Sequence, residues 1–587
     1  MVKELMKSIR EFKLATILTP TFVVGEVIIE ALIPFLISLL INDIKAGCDL
    51  SVILGYAWKL VVLSLLSLLC GYLAGIYCAE ASTGFAKNLR YDIFSNIQKF
   101  SFSNIDKFSS ASLVTRLTTD IQNVQMAFMM IIRTAVRAPL NLIFSFTMAY
   151  IMGGSMAVIF LIIIPFLGIG LYLIVRTVMP VFKKGFPLFD KITRIVEENV
   201  KGIRVVKSFV REDYEINKFD ETSNDIRKMF TRAEQIIALN NPLMQISIYA
   251  VMLFVLMFGS EMIIKTNGTS LDVGQLSTLM TYGFQIMVSL MMLSMVFVMI
   301  TFSEESCKRI IEVLNEKSSI TSKENAITEV KDGSIDFDHV RFKYSPTAER
   351  PVLENIDVHI KSGETIGIIG GTGSAKSSFV QLIPRLYDVT EGTVRVGKED
   401  VRDYDLVTLR DSVAMVLQKN VLFSGTIADN IRWGNKDATL EEVKHVCHLA
   451  CADEFIEQMP DGYDTWIEQG GTNVSGGQKQ RLCIARALLK QPKILIMDDS
   501  TSAVDTKTDA IIRKAMKEYI PETTKIIIAQ RTSSVEDADR IIVLDGGKID
   551  AIGTSEELLQ TNQIYREVYL SQNKQGTEEI VEEGGVR

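Results

Sequence analysis

Residues Lys493–Asp505 read K-I-L-I-M-D-D-S-T-S-A-V-D. Ile494, Leu495, Ile496 and Met497 are apolar in a row, preceded by Pro492 and closed by two carboxylates. Such a run predicts a strand buried on both faces, as in parallel sheets. Ligands of open α/β sheets collect at the carboxyl ends of the strands. Asp498 is therefore placed to hold a Mg²⁺ ion, directly or through water. Asp499 follows it at the edge of the same site.

Upstream, Ile366–Ile369 reads as another strand and runs into G-G-T-G-S-A-K-S-S, Gly370–Ser378, which opens a helix. The order strand, glycine-rich turn, helix is that of a phosphate loop. Backbone N–H groups of Gly370, Gly371, Thr372, Gly373 and Ser374 cradle phosphates, Lys376 reaches the β/γ oxygens, and the Ser377 hydroxyl ligates Mg²⁺, with Ser378 beside it. The expected cofactors are ATP and Mg²⁺. The spacing G-x-x-x-x-G-K-[ST] fails at one place, where Ala375 replaces glycine. A methyl group there is expected to crowd the phosphates or strain the turn, weakening nucleotide binding without abolishing it.

At 587 residues the chain is too long for one core, so at least two domains are expected. Hydrophobic residues make up 48% and mean hydropathy is +0.23, with the apolar excess in the first half. A net charge of −8 argues against a nucleic-acid partner. The seven cysteines are scattered; Cys447 and Cys451 lie four apart but have no further ligands nearby, so no metal site is read from them.

Apolar segments over about 15–42, 53–80, 127–152, 156–177, 237–264 and 274–301 each reach the roughly 20 residues that cross a bilayer. Lys and Arg crowd the N-terminal stretch (Lys3, Lys7, Arg10, Lys13) and the second-to-third and fourth-to-fifth connections. The opposite loops carry few, so both termini are expected on the cytoplasmic side. The connections 81–126 and 178–236 are too long and periodic for simple loops. They read as helical extensions, each with a short reversal able to touch a cytoplasmic engine, and keep apolar stripes at Leu89, Ile93, Ile97 and at Val200, Ile203, Val206, Phe209.

Charges within spans are costly and usually functional. Glu26 and Glu30 lie one turn apart in the first span, and Arg133 and Arg137 repeat that spacing in the third. Two readings stand. The Glu pair is neutralised by neighbours, or it faces a polar cavity and receives cationic substrates. The sixth span holds Met280, Met287, Met291, Met292, Met295 and Met299, either membrane filler or an adaptable substrate surface.

Further motifs fall in order, and together they resemble the ATP-binding cassette (ABC) exporter family along nearly the whole chain. Tyr344 in F-K-Y-S matches the aromatic that stacks on adenine, and Gln418 in V-L-Q-K the glutamine that contacts Mg²⁺. Glu468 in T-W-I-E-Q-G-G lies where the exporters carry a loop that senses the membrane domain. N-V-S-G-G-Q (Asn473–Gln478) matches the signature motif, and Ser502-Ala503-Val504-Asp505 the loop that crosses the dimer interface. The resemblance implies an α-helical membrane domain of six transmembrane helices (1–301), a linker (302–333) and an α/β P-loop nucleotide-binding domain with a helical subdomain (334–571). An acidic tail (572–587) is expected to be disordered. It also implies that Ser475, Gly476, Gly477 and Gln478 close in trans over ATP held by a second half-transporter.

Two departures from the family matter. Asp499 stands where hydrolysing members carry Glu, and Gln530 where they carry the switch His. A carboxylate short by one methylene misplaces the attacking water, and errors of ~1 Å can lower a rate about a hundredfold. An uncharged amide gives less to a transition state that gathers negative charge. The pattern resembles the degenerate subunit of heterodimeric bacterial multidrug exporters, which holds ATP and hydrolyses it weakly while its partner supplies Glu and His. The expected activity is ATP-driven export of amphiphilic compounds across the plasma membrane. The alternatives are export of lipid or peptide, an ATP-binding membrane gate with little turnover, and a slowly hydrolysing homodimer.

Overall fold

The computed structural model describes residues 2–345, 347–500 and 504–572. They form two units: Met1–Lys99 with Ser109–Glu316, and Phe100–Phe108 with the chain from Lys317 onward.

The first unit is helical. Lys13–Lys45, Leu50–Ile97, Thr134–Gly153, Val158–Lys201, Asn240–Thr266 and Val273–Asn315 contain the apolar segments. Among the described residues, five helical stretches are long and apolar enough to cross a membrane. One of these, Ser110–Lys201, holds two spans, divided at the 3₁₀ turn Gly154–Ala157. That turn opens on Gly154 at φ +52°, a left-handed conformation suited to glycine. The third span is also broken at Arg133, where the helices Ile121–Ile132 and Thr134–Gly153 meet.

Several helices outrun any bilayer. Leu50–Ile97 has 48 residues, and on its polar half Leu89 and Ile93 are fully buried. Burying an aliphatic side chain away from water contributes about 1.5–3 kcal/mol, which keeps this extension packed. The other extension behaves differently: Val200, Ile203 and Phe209 are exposed. Polar groups also tie the bundle. Asp120, fully buried, accepts from Ser306 Oγ at 2.9 Å and pairs with Arg309. Arg116 donates to Glu312 at 2.9 Å. A π-helical turn at Arg116–Asp120 sets both side chains against Val273–Asn315.

That last helix continues through the first part of the 302–333 stretch, burying Ser303, Ser306, Ile310 and Val313. The short helix Phe102–Phe108, the reversal of the first long connection, belongs to the second unit. There Asp106 accepts from the Tyr387 hydroxyl at 2.8 Å.

In the second unit a six-stranded sheet runs in the order Lys548–Gly553, Arg540–Asp545, Thr365–Ile369, Thr524–Ile528, Ile494–Asp498, Val413–Val416. Its pairs are parallel except at the Lys548–Gly553 edge. Every residue of Ile494–Asp498 is buried, as four successive apolar residues require. An antiparallel sheet carrying Ile335–Phe342 and Leu353–Ile360 shares a core with the phosphate-loop helix, where Phe337 stacks on Phe379 at 4.3 Å. A second core gathers Ile427, Val443, Cys447 and Leu482 in a helical subdomain.

Candidate functional site

The phosphate loop leaves the strand Thr365–Ile369 and enters the helix Lys376–Gln381. Gly370 is obligatory: a Cβ there would lie 2.1 Å from the Leu544 carbonyl. Ala375 takes φ +71°, ψ +22°, so its methyl group carries left-handed strain of roughly 1–2 kcal/mol. That methyl packs on the core beneath the loop while the residue also lines the cavity above it. The sequence expectation of strain at this turn is therefore realised in the backbone angle.

Lys376 Nζ donates to the carbonyls of Gly370 (2.7 Å) and Gly371 (2.8 Å). Burial holds its pKa below the ordinary lysine value, against the pull of Asp498 and Asp499. Asp498, at the end of its buried strand, is 5% exposed. Burial raises its pKa above the usual carboxylate range, opposed by a hydrogen bond with Ser377. The Ser377 hydroxyl and the Asp498 carboxylate are hard oxygen donors side by side. They fit Mg²⁺, which takes a few protein oxygens and completes its shell with water and phosphate.

Asp499 turns sharply out of the strand at φ +49°, a region that Asp enters more readily than most residues. Its Oδ2 accepts from Gln530 Nε2 at 2.7 Å and from Gln418 Nε2 at 3.3 Å. Gln530 is held in turn by the end of the helix Gln563–Gln572. Gln572 Nε2 donates to its carbonyl at 2.8 Å, and Gln572 Oε1 accepts from the Thr532 N–H at 2.9 Å.

A cavity of 520 Å³ joins these groups. Gly370 to Ser378, Gln418, Asp498, Asp499 and Gln530 all line it. Tyr344 does not. It stands beside the loop, 46% exposed, with its hydroxyl 2.8 Å from Ser378 Oγ. Ser475, Gly476, Gly477 and Gln478 also lie outside this cavity. They begin the helix Gly476–Leu489 as a capping box, Ser475 accepting from the Gln478 N–H and Gln478 from the Ser475 N–H. Ser502 and Ala503 fall outside the described residues. The sequence reading missed Val352 and Val568, which line the cavity, and Gln572. Nothing in their spacing marks them.

In the membrane unit Arg137 bridges the Glu pair, at 3.2 Å to Glu26 and 2.8 Å to Glu30. Of the two carboxylates Glu26 is the more buried, and its Oε2 has no partner among the described residues. Met287 is fully buried in a core with Phe160 and Tyr282, whereas Met291 is 40% exposed.

The chain matches the family described as ABC transporter transmembrane region over residues 16–303, and that described as ABC transporter over 353–502. It is 34% identical over 554 residues to YfiB of Bacillus subtilis, an uncharacterized ABC transporter ATP-binding protein, spanning 94% of this chain and 96% of that one. The chain belongs to the ABC transporter family. Another ABC relative, the ATP-dependent lipid A-core flippase of Photobacterium profundum, is 30% identical over 521 residues, covering 86% of this chain and 88% of its own. The solved structure of a bacterial Atm1-family ABC exporter with ATP bound superposes with a TM-score of 0.82 over 96% of this chain and 98% of that one; at 24% identity it speaks to fold. This ABC transporter is thus a multi-pass membrane protein of exporter architecture, its helical membrane domain fused to a nucleotide-binding domain. Membership implies ATP binding, normally with Mg²⁺.

Proposed function

We propose that this chain is the holding half of a heterodimeric exporter that moves amphiphilic compounds out across the plasma membrane. The observation that carries the reading is the pair of amides on one carboxylate oxygen, Gln530 and Gln418 on Asp499 Oδ2. A general base must offer that lone pair to water, and here two N–H donors compete for it. No protonation state of Gln530 is cationic, so the charge that would gather on the γ-phosphoryl oxygens meets one fewer positive group. ATP is held by Lys376 and the loop, with Ser377, Asp498 and Gln418 placed to serve Mg²⁺. Tyr344 flanks the base.

The signature residues Ser475–Gln478, at the capped start of their helix, complete a partner's site. The partner supplies Glu and His. The exposed apolar residues Val200, Ile203, Phe209 and Val210 support a second chain, because such a patch in water favours association. The Lys and Arg distribution supports cytoplasmic termini.

Substrate reading rests on Glu26, Glu30, Met287 and Met291. Arg137 supports the neutralised form of the Glu pair, which favours an amphiphile without a strong net charge. The flippase relative favours lipid as the second reading.

The test is ATP turnover by the purified chain in lipid nanodiscs. The chain alone is expected to bind ATP and hydrolyse it weakly, and Asp499→Glu with Gln530→His to raise the rate at least about tenfold. Brisk turnover by the unaltered chain, unaffected by Asp499→Asn, would overturn the holding role.

A further inference from the structure

A second cavity in the nucleotide-binding unit, of 420 Å³, lies between the helix Thr506–Tyr519 and the strands Thr365–Ile369 and Thr524–Ile528. Its lining carries four cations, Arg513, Lys514, Lys517 and Lys525, against one carboxylate, Asp537. Arg513 is already engaged, donating to Asp537 at 2.7 Å and lying 3.3 Å from Asp509. Lys514 and Lys517, one turn apart on one helix face, have no ion pair among the described residues.

Lys525 is the unusual member. It is only 4% exposed, and no carboxylate lies within ion-pair distance among the described residues. Two of its N–H donors go to the carbonyls of Ile520 and Thr523, both at 2.8 Å. An ammonium has three donors, so one remains. Burying a cation against neutral carbonyls alone is costly, and an anion in the adjoining cavity would repay that cost. Burial holds its pKa down to about 8, as expected for a cation short of counter-charge despite Asp539 nearby.

We propose that this cavity is an anion site, distinct from the phosphate loop, that takes a small diphosphate between Lys525 and the Lys514/Lys517 face. Its walls adjoin two elements beside the ATP site. The helix Thr506–Tyr519 follows Val504-Asp505, and Ser534 closes the turn that follows Gln530. An occupant would tie those two elements together.

The experiment titrates the full chain in nanodiscs with inorganic pyrophosphate by calorimetry, on a Lys376→Ala background that weakens the phosphate loop. One pyrophosphate per chain is expected, with a dissociation constant on the order of 0.1 mM. Each charge-assisted hydrogen bond is worth enough that Lys525→Met, and separately Lys514→Ala with Lys517→Ala, should weaken binding about tenfold or more. Lys525→Met removes a buried charge, so its melting temperature should equal or exceed that of the parent, which separates lost binding from lost folding. Affinity that falls by less than about tenfold in both variants, or no saturation by about 5 mM, overturns the site. Sulfate should compete and chloride should not; the reverse order would also overturn it.

Discussion

Gln530 Nε2 lies 2.7 Å from Asp499 Oδ2, so the two residues that depart from the family pattern are bonded to each other. The two substitutions are thus one feature. Their effects should not add.

Asp499→Glu alone pushes a longer carboxylate against the Gln530 amide, and Gln530→His alone sets an imidazole beside a carboxylate too short to position water. Each single variant is expected to leave steady-state ATP turnover within about 1.3-fold of the parent, and the pair to raise it about tenfold or more, a coupling of about 1 kcal/mol. Singles that multiply to the double would show two independent sites.

Ala375→Gly removes a Cβ from a residue at φ +71°. Relief of about 1–2 kcal/mol is partly offset by the greater freedom of glycine in the unfolded chain. The expected outcome is an unchanged or slightly raised melting temperature and ATP binding tightened a few-fold, read with a fluorescent ATP analogue. Weaker binding would show that the methyl aids the loop through its core contact.

Arg137→Met leaves Glu26 and Glu30 without their shared counter-charge. Removing the partner from a part-buried pair leaves the buried Glu26 carboxylate uncompensated, at a cost of about 1–3 kcal/mol. Thermal unfolding in detergent should shift down by several degrees, and adding Glu26→Gln with Glu30→Gln should restore most of it. If the added changes restore nothing, Arg137 acts through packing alone.

Lys525 gives a pH dependence of known sign. Burial lowers its pKa to about 8 in the folded chain from the ordinary 10.5. Between those values the unfolded chain binds more protons than the folded one, so stability contributed at this residue rises with pH. Below about pH 8 both states are protonated and the penalty is constant. The difference in stability between the parent and Lys525→Met, followed by denaturant unfolding from pH 7.5 to 10, should therefore drift in favour of the parent as pH rises.

Gln572 fastens the segment after Gln530 by accepting from the Thr532 N–H. One hydrogen bond is worth about 1 kcal/mol. Amide exchange at Thr532 should accelerate about fivefold in Gln572→Ala, with Asp499 N–H, bonded to the Ile528 carbonyl, unaffected.

Residues that carry their own geometry were readable in advance. Ile494–Met497 has no polar face, so it must be a doubly covered strand, and the turn Gly370–Lys376 announces itself by its glycines. The long spans were legible from length, although the breaks at Arg133 and Gly154 needed the backbone. Apolar periodicity revealed a stripe at Leu89 and Ile93 and another at Val200, Ile203 and Phe209. It did not tell that the first would be covered and the second left open, because a stripe records a face and not its neighbour. Arg137 was visible beside the Glu pair only as a spacing; its bridge depends on how two helices are rotated. Gln572 sits at the end of a helix with no motif around it, so its grip on Gln530 and Thr532 is a purely tertiary fact.

Ser475–Gln478 stand apart from the cavity built on their own chain's phosphate loop. In the assembly proposed above, a lesion at Ser475 would therefore be felt by nucleotide that another polypeptide holds. Its genetics would mislead: the damaged subunit would still load ATP normally, while the silent defect surfaced as lost turnover in an intact companion.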